Sequence, residues 1–479
     1  MPDGSDMTAA SRKRAASTTP PAITNWGSSL SNGEDLTDRI GRILGRIEDD
    51  LNASVSDDTI LICGLYLLQQ VSKDPDHVLT VSRQAIESFH FRDVPSHWRR
   101  LYEDASLQKA AALLRRRADG LSATGEGKRQ ACRVSSLAFR NVGQDDWLQA
   151  LVAVLDQAIM LTGAPRRKTT FDAIFQCLDS ICDDPGKNDM PKQFDVRLPH
   201  QLALKKPISL AGKALSLGSF ESWMQKERTP LIIADAFDHW PACHRWQDPN
   251  YLLSNTLDGR RIVPVEIGES YTSEGWTQRT MTMKDFVLQH LLPERPEAIG
   301  YLAQYDLFQQ IPTLRADVSV PDYCYTDPPK ADCDALKTTG LSTIALVDEP
   351  LMHAWLGPKG TKTPLHTDPY HNIFCQVVGY KYVRLYSPSE TRRLYPRSVD
   401  ESGISMENTS SIDVNFLSRR KPETDASKLK LFRETFPLFA DADYFEGVLG
   451  PGDSLYVPLG WWHYVESLTT SFSVSFWWN

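Results

Sequence analysis

The sequence predicts an α+β protein of two parts, an all-α region followed by a region of many short strands. Three observations carry this expectation. From Leu36 to Ile181 apolar residues recur at three- and four-residue steps, the period of helices that bury one face. Beyond the polar stretch Asp183-Asp-Pro-Gly-Lys-Asn-Asp-Met-Pro191 the grammar changes to short β-branched and aromatic runs separated by Pro, Gly and Asp. That is the pattern of a barrel or sandwich. At 479 residues the chain is also too long for one ordinary domain.

Residues 1–34 are rich in Ser, Thr, Ala, Pro and Gly, lack a sustained apolar period and read as a disordered tail. Arg12-Lys13-Arg14 within it has the charge of a nuclear import signal, although short basic clusters in polar tails are ordinarily just solvated. A helical domain is expected over residues 35–185. Its first stripe is Leu36, Ile40, Ile43, Leu44, Ile47 and Leu51, and a second runs through Trp98, Leu101, Tyr102, Ala105, Leu113 and Leu114. Asp145 or Asp146 could cap a helix through Trp147, Leu151, Leu155 and Ile159 that stops near Gly163 and Pro165. Phe171, Ile174, Phe175, Leu178 and Ile181 mark another. Nothing ionisable recurs on these stripes, so they read as packing faces.

A linker is expected over residues 186–205 and a strand-rich domain over 206–479. Strands are predicted at Pro230–Ala234, Arg261–Ile267, Tyr382–Tyr386, Ser454–Pro458 and Ser471–Trp477. Asp327–Thr339 and Ser387–Glu446 are polar or mixed, the second with a short helix near Phe432–Phe439. Long insertions between strands often cover active-site mouths.

A formal net charge of −9 and a pI near 5.7 oppose a nucleic-acid-binding role. Eight cysteines without a C-x-x-C pair read as reduced thiols. No secretory leader is recognised, and Ile60–Leu68, the most apolar stretch, is too short to span a bilayer. A soluble protein of the nucleus or cytoplasm, without membrane partners, is expected.

Two segments carry chemistry. In His366-Thr-Asp368 the two functional residues are two apart, which on a strand turns both to one face. The run Asn372–Tyr386, broken at Gly379, reads as a strand, a turn and a strand that would place this pair on a sheet. A distant His463 in Gly-Trp-Trp-His463 could complete two histidines and one carboxylate on one side of a metal, with open positions suited to oxygen chemistry.

These residues, with Gly300-Tyr-Leu-Ala-Gln304, Pro321-Asp-Tyr-Cys324, Trp355-Leu-Gly-Pro358, Tyr380–Pro388 and Phe472-Ser-Val-Ser-Phe-Trp-Trp478, resemble the Jumonji C (JmjC) oxygenases. The likeness runs from about Leu215 to Asn479 and is nearest to the branch of Jumonji-domain-containing protein 5, also called lysine demethylase 8. It implies a cupin-like double-stranded β-helix, or jelly roll, that uses Fe(II), 2-oxoglutarate and O2. Under the resemblance His366, Asp368 and His463 are the metal ligands and catalytic centre. Lys381 pairs with the distal carboxylate of 2-oxoglutarate, Tyr301 and Thr363 donate hydroxyls to it, and Asn372 lies near its other end. Glu266 and Trp355 match positions that hold a substrate guanidinium, by a carboxylate and a stacked indole.

The implied activity is hydroxylation of a protein side chain, arginine first. Demethylation of histone methyl-lysine and a catalytically silent scaffold are the alternatives. The implied partner is a protein or peptide with a cationic side chain: a histone, a ribosome-associated protein or another nuclear protein. His353 stands where Asn is expected and His371 is an additional imidazole; both read as structural.

Overall fold

The structure, a computed structural model, describes residues 35–53, 57–90, 93–124, 147–181, 190–198, 202–212, 215–273, 275–329, 345–399, 405–414 and 426–479. The expected tail with its basic cluster, the caps Asp145 and Asp146, and much of the linker and of Asp327–Thr339 lie outside these residues. The chain divides into two compact units, residues 1–143 with 164–184, and residues 144–163 with 185–479.

Six helices precede the first strand among the described residues: α1 (Leu36–Asn52), α2 (Leu65–Lys73), α3 (Pro75–Glu87), α4 (Ser96–Thr124), α5 (Trp147–Thr162) and α6 (Lys168–Asp179). Asp35 caps α1 by accepting from the Asp38 N–H at 2.9 Å, and Asp74 with Pro75 at the first position starts α3. Of the predicted first stripe, Ile40, Ile43 and Ile47 are buried and Leu36, Leu44 and Leu51 are half-buried. The helical unit also buries charge, which its apolar periods do not announce. Arg100 bridges Asp58, Glu103 and Asp104, and Arg167 pairs with Asp104.

Among the described residues the second unit holds thirteen strands: β1 (Ser209–Ala211), β2 (Leu231–Ile233), β3 (Ile262–Ile267), β4 (Thr277–Thr282), β5 (Gly300–Tyr305), β6 (Leu351–Gly357), β7 (Lys362–His366), β8 (His371–Val378), β9 (Lys381–Tyr386), β10 (Phe445–Leu449), β11 (Ser454–Val457), β12 (Trp462–Ser467) and β13 (Ser471–Trp478). They form two sheets, ordered β1-β2-β11-β8-β13-β6-β5-β3-β4 and β10-β9-β12-β7. Apart from the parallel pair β1 and β2, the ladders are antiparallel. This is the jelly roll that the sequence predicts.

Strand alternation decides what faces the interior. Trp355, Phe374, Val383, Leu385, Leu455 and Val465 pack between the two sheets. Their neighbours Ala354, Leu356, Ile373, Cys375, Phe472 and Phe476 pack behind the large sheet, against Phe220, Trp240 and Trp246. Gly379 makes the predicted turn between β8 and β9 at φ +73°, where an added Cβ would meet the Thr470 carbonyl at 2.0 Å. The insertion does hold a short helix, but at Ala426–Thr435, earlier than the predicted Phe432–Phe439, with a separate short turn of helix at Pro437–Asp441. Earlier in the same insertion, Asn408 O accepts from the Thr367 N–H at 2.9 Å and the Ser410 N–H donates to Leu365 O at 2.8 Å. This strip covers the outer edge of β7 at its C-terminal end.

Helix α5 departs from the domain boundaries read from the sequence, since it belongs to the strand-rich unit. Its apolar period is that of a helix with one buried face and does not say which core it joins. Asp156 on that helix decides the matter. Fully buried, it accepts from Arg261 Nη2 at 2.7 Å, from the Ile262 N–H at 2.8 Å and from Gln310 Nε2 at 2.7 Å. The described cysteines, Cys63, Cys177, Cys243, Cys324 and Cys375, are free thiols, as expected. Among the described residues no helix is long and apolar enough to cross a membrane.

Asp156→Ala leaves Arg261 buried without its counter-charge. The expected loss is about 3–5 kcal/mol, measured as a lower urea midpoint for the strand-rich unit; Asp156→Asn, which keeps an acceptor, should lose less.

Candidate metal centre

His366 ends β7 and His463 lies near the start of β12, and the two are register partners across the ladder. Asp368 follows two residues beyond β7. Asp368 Oδ1 lies 3.6 Å from His366 Nε2, and its Oδ2 lies 3.3 Å from His463 Nε2. One ligand atom from each falls within 4.8 Å of the others, and all three residues are buried. Among the described residues no other group of three His, Cys, Asp or Glu converges in this way.

The rings are oriented from behind. His366 Nδ1 lies 2.8 Å from Pro364 O and His463 Nδ1 lies 3.1 Å from Trp461 O. A carbonyl can only accept, so each Nδ1 carries the proton and each Nε2 offers its lone pair to the centre. Burial, helped by the neighbouring His463, pushes His366 down to about 4 and keeps it neutral. Burial opposes ionisation of Asp368, yet its carboxyl stands below the usual range. Two neutral imidazoles and a carboxylate on one side of a point fit a divalent ion such as Fe(II) with open positions.

A cavity adjoins the triad, lined by Tyr301, Trp355, Thr363, Asn372 and Phe374 among others. Lys381 is fully buried, with Nζ 3.3 Å from Tyr301 Oη and 5.2 Å from the Phe374 ring centroid. No carboxylate among the described residues lies within ion-pair range of it. Burial accordingly pushes its ammonium down to about 7. Tyr301, raised above its ordinary value by burial, shares a hydrogen bond with Thr363. Asn372 Oδ1 is buried and has no partner among the described residues. The wall thus offers a cation, hydroxyls and an amide to an anionic guest.

Glu266 on β3 pairs in register with Tyr301 on β5. It is half-buried, and burial raises its pKa against hydrogen bonds from Trp276, at 3.3 Å, and Gln278. Trp355 on β6 donates its indole N–H to Ser475 Oγ at 2.9 Å, which leaves its ring face to the cavity. His371 is structural, as expected: its Nδ1 accepts from the Leu459 N–H at 3.4 Å and from the Tyr456 hydroxyl at 2.9 Å.

The sequence reading missed Tyr271, whose hydroxyl meets Thr409 Oγ1 at 3.3 Å and which lies within electrostatic reach of Asp368 and Glu266. A lone Tyr in a Ser- and Thr-rich loop carries no signal. The expectation that the long insertion covers an active-site mouth was the available hint, since Thr409 belongs to it.

A family model described as a cupin-like domain matches residues 218–479. The chain is 34% identical over 405 residues to JmjC domain-containing protein 5 of Drosophila melanogaster, covering 83% of this chain and 84% of that protein. The chain belongs to the cupin-like JmjC family. Lysine-specific demethylase 8 of Danio rerio is 35% identical over 392 residues, 81% of this chain and 83% of its own. Lysine-specific demethylase JMJ30 of Arabidopsis thaliana is 38% identical over 267 residues, 55% of this chain and 53% of its own. This is therefore a JmjC oxygenase of the branch named for protein 5 and demethylase 8, a family generally dependent on Fe(II) and 2-oxoglutarate.

Losing an outer hydrogen-bond partner of a metal-bound histidine costs about 10–100-fold in metal affinity, and losing a ligand costs no less. His463→Ala and Asp368→Ala should therefore retain at least about tenfold less Fe(II) than wild type after anaerobic dialysis, measured as metal content per chain.

Proposed function

We propose that this chain hydroxylates a cationic protein side chain, arginine first, using Fe(II), 2-oxoglutarate and O2. His366, Asp368 and His463 hold the metal. Lys381, with Tyr301 and Thr363, takes the distal carboxylate of 2-oxoglutarate, and Asn372 lies toward its other end. The observation that carries the substrate reading is Glu266. It is a half-buried carboxylate in register with the cavity-lining Tyr301, with no Lys or Arg of the described residues in ion-pair range, and the Trp355 ring lines the cavity. A guanidinium satisfies both features, because it is planar, donates to a carboxylate in a fork and stacks on an indole.

When bound, iron supplies the oxidising chemistry in which 2-oxoglutarate becomes succinate and CO2 while one oxygen atom enters a substrate C–H bond. The chain's own residues do the positioning. The backbone carbonyls of Pro364 and Trp461 fix both imidazoles, Lys381 neutralises the buried carboxylate, and Phe374, Val383, Leu455 and Val465 keep the cavity wall apolar. Glu266 draws the cationic side chain toward the metal.

Methyl-lysine demethylation is the second reading, favoured by the names of the Danio and Arabidopsis relatives. It begins with the same insertion of oxygen at a carbon. For partners we propose protein targets, a histone or a ribosome-associated or other nuclear protein, met in the nucleus or cytoplasm. The acidic balance of the chain and Arg12-Lys13-Arg14 support this.

The deciding experiment supplies the protein with Fe(II), ascorbate and 2-oxoglutarate, and scores succinate with Arg-containing and methyl-lysine peptides. Mass spectrometry should show one oxygen gained on arginine; loss of a methyl instead selects demethylation, and no succinate with metal bound selects the silent scaffold. Glu266→Gln should lower kcat/KM for the arginine peptide at least about tenfold, as for a charge-assisted bond lost.

Lys381 gives a pH signature. Only its ammonium attracts a carboxylate, and its pKa of about 7 means the charged form is lost as pH rises through that value. The affinity for 2-oxoglutarate should be flat below pH 7 and fall about tenfold per pH unit above it, as read by calorimetry; Lys381→Ala should bind weakly at every pH yet still retain iron.

A further inference from the structure

The inward-facing residues of β6, β13 and β8 run in registered rows. Trp355, Ser473 and Gln376 form the innermost, His353, Ser475 and Phe374 the next, and Leu351, Trp477 and Asn372 the outermost. Exposure rises along these rows toward Leu351, so the last two stand nearer the mouth. Two nitrogens there are buried without a hydrogen-bond partner among the described residues, His353 Nδ1 and Trp477 Nε1.

The two rings meet edge to face, with centroids 4.7 Å apart at 62°. Trp477 also stacks on Tyr370 at 5.7 Å, two residues beyond Asp368, and Asp368 lies within electrostatic reach of His353. The two rings are thus linked to the segment that carries Asp368. Two nearby rings are satisfied, since the Trp355 N–H reaches Ser475 and His371 Nδ1 is taken by Tyr456 and Leu459, whereas Asn372 Oδ1 and Trp478 Nε1 are also unpaired among the described residues. Native interiors leave few such groups unpaired, because each one costs its full desolvation.

What could satisfy this pair is limited by chemistry. An indole N–H only donates, so its partner must accept; a neutral imidazole carries one donor and one acceptor nitrogen. Burial pushes His353 down to about 4, which keeps it neutral at ordinary pH. With the His353 proton on Nε2, its Nδ1 accepts while the indole donates, and then neither 2-oxoglutarate, which only accepts, nor a guanidinium, which only donates, serves both. A peptide link offers both a carbonyl and an N–H.

We infer that His353 and Trp477 bind the main chain of the target next to the residue being modified. The indole N–H donates to a peptide carbonyl, and His353 Nδ1 accepts from a neighbouring peptide N–H. The inference rests on the reading of the chain as an oxygenase of protein side chains, and it favours neither arginine nor methyl-lysine. It makes His353 a determinant of peptide binding separate from Glu266, since one reads the main chain and the other the side chain.

The test uses the full chain with Fe(II), 2-oxoglutarate and whichever peptide wild type turns over. That peptide is compared with ester analogues in which the main-chain N–H of the target residue, or of the residue after it, is replaced by oxygen. One ester should raise KM about tenfold on wild type with kcat little changed, as for one hydrogen bond left unmade. His353→Phe, which keeps a ring against Trp477, should show the same rise on the amide peptide and no further rise on that ester. His353→Asn, which keeps an acceptor, should recover most of the affinity.

The inference is overturned if neither ester affects wild type, a measurement independent of whether any variant folds. It is equally overturned if the losses from ester and His353→Phe multiply, because the two changes would then act separately. If wild type makes succinate with no peptide of either class, the oxygenase reading falls and this inference with it. A working wild type with an unresponsive ester pair removes the inference alone.

Discussion

Everything at the metal centre depends on β12 being held between β7 and β9 in one register. Its pairing with β7 sets His463 against His366, and its pairing with β9 sets the same histidine against Leu385, on the strand that carries Lys381. A slip of one residue would turn His463 to the opposite face of the sheet and bring Trp462 inward. The ladder is irregular between His463 and Val465, and bulges beside active sites re-aim side chains in this way. A single strand thus relates the metal ligands to the cation across the cavity.

The interior of the barrel is stable without being electrostatically content. Among the described residues, Lys381 is buried with a phenol as its hydrogen-bond partner, Glu266 is half-buried without a cation in ion-pair range, and Asn372, His353 and Trp477 each present an unpaired polar atom. Aromatic and aliphatic packing on both sides of the large sheet is what tolerates this concentration of unmet polar demand. The consequence is that guests of opposite character, an anion near Lys381 and a cation near Glu266, both relieve costs already present in the fold.

The legible part of this protein was local. A two-residue spacing was enough to suggest that His366 and Asp368 share a face, although Asp368 lies just past the end of β7 rather than within it. Gly379 marked its turn because the backbone there needs a positive φ and no Cβ fits. What periodicity could not reveal was partnership. The apolar stripe of α5 is as compatible with a helical bundle as with a barrel, and the buried contact of Asp156 with Arg261, remote in sequence, assigns it. Tyr271 and Thr409 are brought to the mouth by two loops whose sequences say nothing of each other, and His463 joined the set through its likeness to known proteins.

The strip at Asn408–Ser410, hydrogen-bonded along β7, also bears on how safely this chain folds. β7 must wait for β12, which lies far later in sequence, and a waiting strand with free N–H and C=O groups is a template for pairing with another molecule. The strip is synthesised between the two and occupies the edge that β12 never covers. Once it has docked, the Leu365–Thr367 end of this strand has one open side instead of two, and in the finished barrel none. The wall that carries the metal ligands is thereby shielded from edge-to-edge aggregation without closing the cavity that substrates must enter.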